Sequence, residues 1–272
     1  MGVPRPRNRP AASTEPAVEC RCARRIPLKI LLPLFSLALG AAAALLFGPS
    51  DRPSAAIAAS TPPAAPVLVE LFTSQGCSSC PPADQLLERL DAEGSVVAVS
   101  RPVTYWDRLG WKDTLARAAN DALQDRYARR GLPGAGVYTP ETVVQGSAAA
   151  VGSDERALRR MIGAAPSDAA LRLDGGRVVA SRSAAGAELR FLAIAHHASV
   201  DVARGENGNR TLGYTNVVLA EAAAPCPASG ACAAAMPAAI AGQRGADRWA
   251  VLLQDRAGGR VHAVRWIELP AK

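Results

Sequence analysis

The spacing of apolar positions changes several times along this chain, and each change predicts an element. Val67 to Phe72, apolar except for Glu70, reads as a buried strand, and Thr73 to Gly76 is a short polar turn. Ala83, Leu86, Leu87 and Leu90 then recur at i, i+3, i+4 and i+7, the period of an amphipathic helix, and Gly94 marks its end. Val96 to Val99 is a second apolar strand, with Ser100-Arg101-Pro102 leading out of it. Tyr105 to Asp113 is aromatic, charged and loop-like. The next period predicts a helix from about Asp113 to Arg130, with Leu115, Ala119, Ala122, Leu123 and Tyr127 on one face and Gly131 as its stop. Leu132 to Gly136 is a turn-rich connector into a strand over Val137 to Val144. Gly146 permits a hairpin, Ala148 to Val151 pairs back, and Ser153 is the expected N-cap of a helix carrying Leu158, Met161, Ile162 and Ala165.

The helical period is lost after Pro166. Leu171 to Leu173, Arg177 to Ala180, Glu188 to Ala195, Ser199 to Ala203, Thr211 to Ala220, Arg248 to Leu253 and Val261 to Leu269 are short, and many alternate. Asp174-Gly-Gly176, Gly205-Glu-Asn-Gly208 and Gly258-Gly259 punctuate them. The expectation is an α/β domain over residues 67–166, followed by a smaller antiparallel β unit over 167–272.

Charge changes the picture at one end only. The net charge is +7, but residues 1–58 carry eight basic and three acidic side chains, leaving only +2 for the rest. The body has no basic stripe with interleaved aromatics, so nucleic acid is not an expected partner. Arg24, Arg25 and Lys29 precede Ile30 to Gly48, nineteen residues without a charge. Residues 1–29 therefore read as a cytoplasmic basic segment, and 30–48 as a signal-peptide core or a membrane anchor. Arg24-Arg25 suits a twin-arginine signal, and Ala56-Ile57-Ala58 offers a cleavage site. Residues 49–66, rich in Pro and Ala, are a linker. The body is thus expected in the periplasm or another extracytoplasmic space, held at the inner membrane if the segment is uncleaved. Cysteines can stay bonded there, whereas Cys20 and Cys22 precede the apolar segment.

Candidate chemistry centres on Cys77 and Cys80. Strand, turn, Cys-x-x-Cys and helix form the thioredoxin-type redox arrangement. Free N–H groups and the partial positive charge at a helix start favour a thiolate at Cys77, and Cys80 is near enough to close a disulfide. Thr139-Pro140, ahead of a strand, suits a cis-proline that faces such a pair, with Thr139 offering its backbone to a substrate. Glu70, on the apolar strand, is the candidate buried carboxylate for moving the proton of the resolving thiol. Tyr105, Trp106, Asp107 and Trp111, with Tyr138, are candidate walls of a substrate site. Cys226 and Cys232 flank a Pro/Ala/Gly-rich loop and read as a structural disulfide. His196 and His197 adjoin on an expected strand, so their side chains should face opposite ways; one of them with Cys77 and Cys80 would make a Cu(I) site.

Several stretches together resemble a family. They are Glu70-Leu-Phe-Thr-Ser-Gln-Gly-Cys77-Ser-Ser-Cys80-Pro-Pro-Ala-Asp84, Tyr105-Trp-Asp107 with Gly110-Trp111-Lys-Asp113, Tyr138-Thr-Pro140 with Val144-Gln-Gly146, and Gly205-Glu-Asn207 with Asn216-Val-Val218. The chain from about Val67 to Leu269 is similar to bacterial secreted, thioredoxin-like proteins classed only as a domain of unknown function. That resemblance implies a thioredoxin-like fold with a helical insertion, and an envelope location, but no established reaction. The expected function is thiol–disulfide exchange with a protein or small thiol or disulfide, using no cofactor beyond the cysteine pair. The alternatives are Cu(I) handling by the same cysteines, or a non-catalytic binding protein in which the pair is a permanent staple.

Overall fold

The structure, a computed structural model, describes residues 65–166, 169–181, 186–228 and 231–268. The segments expected at 1–29 and 30–48, nearly all of the 49–66 linker, and Cys20 and Cys22 lie outside the described residues. The described residues all belong to one compact unit. No helix among them is long and apolar enough to cross a membrane.

The elements follow the predicted order closely as far as residue 166. Strand β1 (Val67–Thr73), helix α1 (Pro81–Ala92), β2 (Val96–Pro102), α2 (Ala118–Arg129), β3 (Glu141–Val144), β4 (Ala148–Val151) and α3 (Glu155–Ala164) come in turn. Beyond them are β5 (Leu171–Asp174), β6 (Arg177–Ala180), β7 (Ala187–Val202), β8 (Arg210–Pro225), β9 (Ala233–Ala235), the short α4 (Ala238–Ala241), β10 (Arg248–Asp255) and β11 (Val261–Ile267). Eight strands form one sheet in the order β11-β10-β7-β8-β2-β1-β3-β4, while β5, β6 and β9 form a small second sheet. The β1–β2 and β2–β8 pairings are parallel and the other pairings in the large sheet are antiparallel.

Alternation along β1 sorts its side chains between two layers. Val67, Val69 and Leu71 pack with Leu86, Leu87 and Leu90 of α1 and Leu158 of α3. Phe72, from the opposite face, packs with Leu123 and Tyr127 of α2. Beyond β8 the sheet curls, so that β11 returns against β1 and β2. Leu68, Val97 and Val99 thereby share a core with Leu192, Ile194, Ala250, Leu252 and Val261. Gln145 pins the closure. Its side-chain oxygen accepts from the Leu68 N–H at 2.7 Å, and its carbonyl accepts from the Val261 N–H at 2.9 Å.

The expected boundary at residue 166 falls between α3 and β5. The strands after it nonetheless extend the same sheet, through β8 beside β2. Three local expectations are corrected. Helix α2 begins at Ala118, because the Asp113 carboxylate accepts from the Leu115 N–H and Arg117 is extended. Asp154, one residue after Ser153, caps α3 through the Ala157 N–H. The two strands expected over 188–203 are one, β7, paired along its length with β8.

Candidate functional site

The Cys77 turn hangs between the end of β1 and the start of α1. The Cys77 N–H donates to Ser74 O at 3.1 Å, and the Cys80 N–H donates to Cys77 O at 3.2 Å. Cys80 is the N-cap residue of α1, with its carbonyl accepting from the N–H groups of Ala83 and Asp84. Pro81 and Pro82 occupy the first helical positions, where a missing N–H leaves no hydrogen bond broken. Cys77 and Cys80 are disulfide-bonded, with Cα atoms 5.4 Å apart. Ser79 Oγ lies 3.3 Å from Cys77 Sγ. Both cysteines have 0% exposure.

A turn from much later in the chain is bonded to the backbone of this turn. Gly205, Glu206 and Asn207 form the turn between β7 and β8. Asn207 Nδ2 donates to Cys77 O at 2.8 Å and to Gln75 O at 3.0 Å, and Glu206 Oε2 accepts from the Ser78 N–H at 3.0 Å. Arg210 Nη1 holds the Asn207 side-chain oxygen at 2.7 Å, which orients the amide. From the other side, Trp111 Nε1 donates to Gln75 Oε1 at 2.8 Å, and the Gln75 N–H donates to Asp113 Oδ2 at 2.8 Å. Trp106 lies against Gly76, so closely that an added Cβ there would stand 3.4 Å from the Trp106 Cβ. A cleft of about 430 Å³ opens beside the turn, lined by Gly76, Trp106, Leu109, Trp111, Gly205 and Glu206.

Asp84 is a buried acid on the same helix, one turn beyond Cys80 and 6% exposed. Burial pushes its carboxyl up to about 8; Thr73 beside it opposes the shift, and the charge of Asp113 adds to it. Burial, and then the charges of Asp84 and Asp113, push Tyr214 upward as well. Asp84 Oδ1, Thr73 Oγ1 and the Tyr214 hydroxyl are all buried without a hydrogen-bond partner of good geometry among the described residues. Asp84 reaches solvent through a second cleft, of about 240 Å³, between α1 and the start of β8. Its stability contribution has a definite sign. The folded state keeps a proton that the unfolded chain releases near the ordinary carboxylate value, so stability falls as pH rises from about 4 to about 8. Asp84→Asn should remove that slope. By pH 8.5 the variant is expected to be more stable than wild type by at least about 1.4 kcal/mol, the equivalent of one pKa unit. Urea melts of both proteins at pH 5 and 8.5 check this, and an equal difference at both values would refute it.

The structure brings Trp106 and Trp111 to the cleft but separates the other expected wall residues from it. Asp107 accepts from the Asp113 N–H at 3.0 Å and serves the turn. Tyr138 donates to Gly134 O at 3.1 Å, and its carbonyl accepts from Gln124. Tyr105 packs with Phe72 and Val103, near Gln124, Thr139 and Glu141, and burial pushes its hydroxyl up to about 12. The Thr139–Pro140 peptide is cis. A side chain at Gly152 would meet Leu71 Cδ1 at 2.8 Å and the Cβ atoms of Ala83 and Pro140 at 3.1 Å, so Pro140 and the first turn of α1 meet there.

Glu70 faces away from the pair. It lies on the α2 side of β1, where Arg101 Nε holds one oxygen and the Tyr127 hydroxyl the other, both at 2.6 Å. Cys226 and Cys232 are disulfide-bonded, with Cα atoms 4.9 Å apart, and pack in the core shared by β6, β7 and β10. His196 and His197 do not point to opposite faces: their rings stack at 3.9 Å, beside the left-handed Asn216 on the partner strand, where the pairing is irregular. His196 Nε2 sits 3.7 Å from Asp91 at the end of α1. That is about 16 Å along the helix from Cys80, at 1.5 Å per residue, so it does not join the cysteines as a ligand. No group of three or more His, Cys, Asp or Glu side chains among the described residues is arranged to hold a metal ion.

Sequence reasoning met Asp84, Glu206 and Asn207 only within the stretches that carry the family resemblance and gave none of them a role at the cysteine pair. Asp84 carried a further signal, as a carboxylate four residues after Cys80 and next to the apolar stripe of α1. Nothing local to Glu206 and Asn207 placed them beside Cys77.

Fold and site define a mixed α/β protein that holds a bonded Cys-x-x-Cys pair at a helix start. The chain belongs to the family described as protein of unknown function (DUF1223), whose model matches residues 68–254. It is similar to a protein of Agrobacterium tumefaciens known from an X-ray crystal structure. The two share 27% identity over 76% of this chain and 97% of that one, with a TM-score of 0.59. HBP35 of Porphyromonas gingivalis shows a slighter likeness, with 14% identity over 75% of each chain and a TM-score of 0.44. No curated protein matches.

Proposed function

We propose that this is an extracytoplasmic thiol–disulfide exchange protein with a thioredoxin-like core, working through Cys77 and Cys80. The observation that carries the reading is a bonded pair at the N-cap of α1, beside an aromatic cleft, on a helix whose first turn meets Pro140 at Gly152. In the reducing direction, a substrate thiolate attacks Cys77 Sγ. The Cys77–Cys80 bond breaks, a mixed disulfide forms, and Cys80 leaves with the electron pair and takes a proton. A second substrate thiolate then attacks the substrate sulfur of the mixed disulfide and releases Cys77. The balance is one protein disulfide and two thiols going to one protein dithiol and one substrate disulfide, with two electrons and two protons transferred. Run in reverse, the same steps reduce a substrate disulfide to two thiols and re-form the Cys77–Cys80 bond. Asp84, which burial keeps protonated near neutral pH, is a carboxyl one turn from Cys80 and suits a proton store for that thiol. The two disulfides are compatible with an oxidising compartment.

One observation favours a second reading. Both sulfurs are fully covered, as a permanent staple would be. Equilibration of the protein in graded glutathione and dithiothreitol buffers separates the two, with mass spectrometry following the Cys77–Cys80 peptide. A midpoint within the range of exchange proteins, about −120 to −270 mV, supports exchange; a bond still closed below about −300 mV makes it a staple.

A further inference from the structure

The donors around Cys77 can be counted. A thiolate there needs N–H or O–H groups to hold its charge. The Gly76 N–H goes to Ser74 Oγ at 3.1 Å, the Cys77 N–H goes to Ser74 O, and the Cys80 N–H goes to Cys77 O. Pro81 and Pro82 have no N–H to give, so the first positions of α1 offer the helix field but no donor. The Ser78 N–H, next in the chain to Cys77, is taken by Glu206 Oε2 at 3.0 Å. What remains is Ser79, through its own N–H and through a hydroxyl that already lies 3.3 Å from the sulfur.

Glu206 is exposed, and no helix or sheet requires a carboxylate at its position. Ser78, through its hydroxyl and its N–H, holds the Glu206 carboxyl below the usual range, so it is anionic at neutral pH. Its neighbour Asn207 is fully buried and fastened at both ends, to Cys77 O and Gln75 O on one side and to Arg210 on the other. The turn therefore does two things at once. It fastens the backbone at Gln75 and Cys77, and it places a negative charge on the N–H next to Cys77.

We propose that the Glu206–Asn207 turn is a clasp that holds the Cys77–Cys80 pair in its disulfide form, with Glu206 competing against the Cys77 thiolate for the Ser78 N–H and Asn207 fixing the turn against the Cys77 backbone. This rests on the exchange reading and deepens it, because it makes these two residues the positioning and tuning residues of that site. Reduction breaks the S–S bond with two electrons from a dithiol such as dithiothreitol, and leaves a Cys77 thiolate short of one donor while Glu206 stays in place. Opening the turn frees that N–H and releases the Cys77 backbone. A thiol or disulfide substrate that displaces Glu206 would thus make the pair easier to reduce as it docks.

The test compares wild type, Glu206→Ala and Glu206→Gln in the same dithiothreitol and glutathione buffers, reading the Cys77–Cys80 peptide by mass spectrometry. Glu206→Ala should shift the equilibrium toward the dithiol about tenfold, near the worth of one charge-assisted hydrogen bond, which corresponds to about 30 mV. Glu206→Gln, which keeps an acceptor without the charge, should fall between. In the reduced proteins, the pH profile of Cys77 alkylation by iodoacetamide should move to lower pH in Glu206→Ala. Asn207→Ala should speed the reaction of the oxidised pair with dithiothreitol, because the Cys77 backbone is no longer held. Identical midpoints and alkylation profiles for wild type and both Glu206 variants would overturn the clasp alone. A pair that no buffer reduces in any of the proteins would overturn the exchange reading, and the clasp with it.

Discussion

Cys77→Ser is expected to reduce exchange with a disulfide peptide to the uncatalysed background, while Cys80→Ser leaves the first step intact and accumulates a mixed disulfide on Cys77. The difference follows from position. Cys77 lies in the turn next to Gly76, which lines the aromatic cleft, and Ser79 Oγ is beside its sulfur. Cys80 is the N-cap of α1, with its carbonyl engaged by two amides of the first turn. A serine at 77 cannot supply the sulfur nucleophile, because an alkoxide is inaccessible at neutral pH whereas a thiolate is not. Without Cys80, nothing within the pair displaces the bound substrate. Incubating each variant, first reduced and then freed of reductant, with a disulfide peptide and weighing the intact protein distinguishes the cases. A Cys77→Ser protein that exchanges at the wild-type rate would end the proposal.

The pair itself was legible because its signal is local. A strand, a polar turn and a helical stripe at i, i+3, i+4 and i+7 surround two cysteines within about 25 residues, and each of those elements formed. The period also gave β2, α3 and the hairpin at Gly146. What failed to show was whatever depended on distant chain. Glu206 and Asn207 meet the cysteine turn from 128 to 130 residues away, and nothing near position 206 says where the turn will land. The extent of the sheet was hidden for the same reason. Alternation identifies a strand but not the neighbour it pairs with, so β8 joining β2 could not be read from either stretch. Glu70 shows a subtler limit. Its strand was right and its burial was right, yet one residue of parity decides which layer a side chain enters. Val69 and Leu71 take the α1 side and Glu70 takes the other. Asp84, by contrast, was within reach of the helical period, because a position four residues after the N-cap and three before Leu87 falls on the packed side of α1.

The role Glu70 does play gives the largest expected effect on stability. Arg101 lies at 1% exposure between two carboxylates, Glu70 at 2.6 Å and Glu221 at 3.1 Å, and its Nη1 also reaches Asn120 Oδ1 at 3.3 Å. Burial alone would lower the guanidinium, but the charges of Glu70 and Glu221 outweigh it and keep the group protonated. Tyr127 from α2 completes Glu70, and Arg190 on β7 also pairs with Glu221. One network thus ties β1, β2, α2, β7 and β8, and so joins the two halves of the sheet. Replacing such a network wholesale by apolar groups is often nearly neutral, but removing a single partner strands the others in the interior. Arg101→Ala should therefore cost about 3–5 kcal/mol, read as a drop in the urea midpoint at unchanged slope. Arg101→Met with Glu70→Gln should recover part of the loss, because it leaves no unpaired charge at residue 70. A single variant within about 1 kcal/mol of wild type would mean that water reaches the network and screens it. The same variants also test the geometry of the site. Glu70 lies on the opposite face of β1 from α1, so where Arg101→Ala is still folded, the reduction midpoint of Cys77–Cys80 should stay where it is in wild type. A midpoint that moved with the Arg101 and Glu70 variants, and not with Glu206, would return the proton-handling role to Glu70.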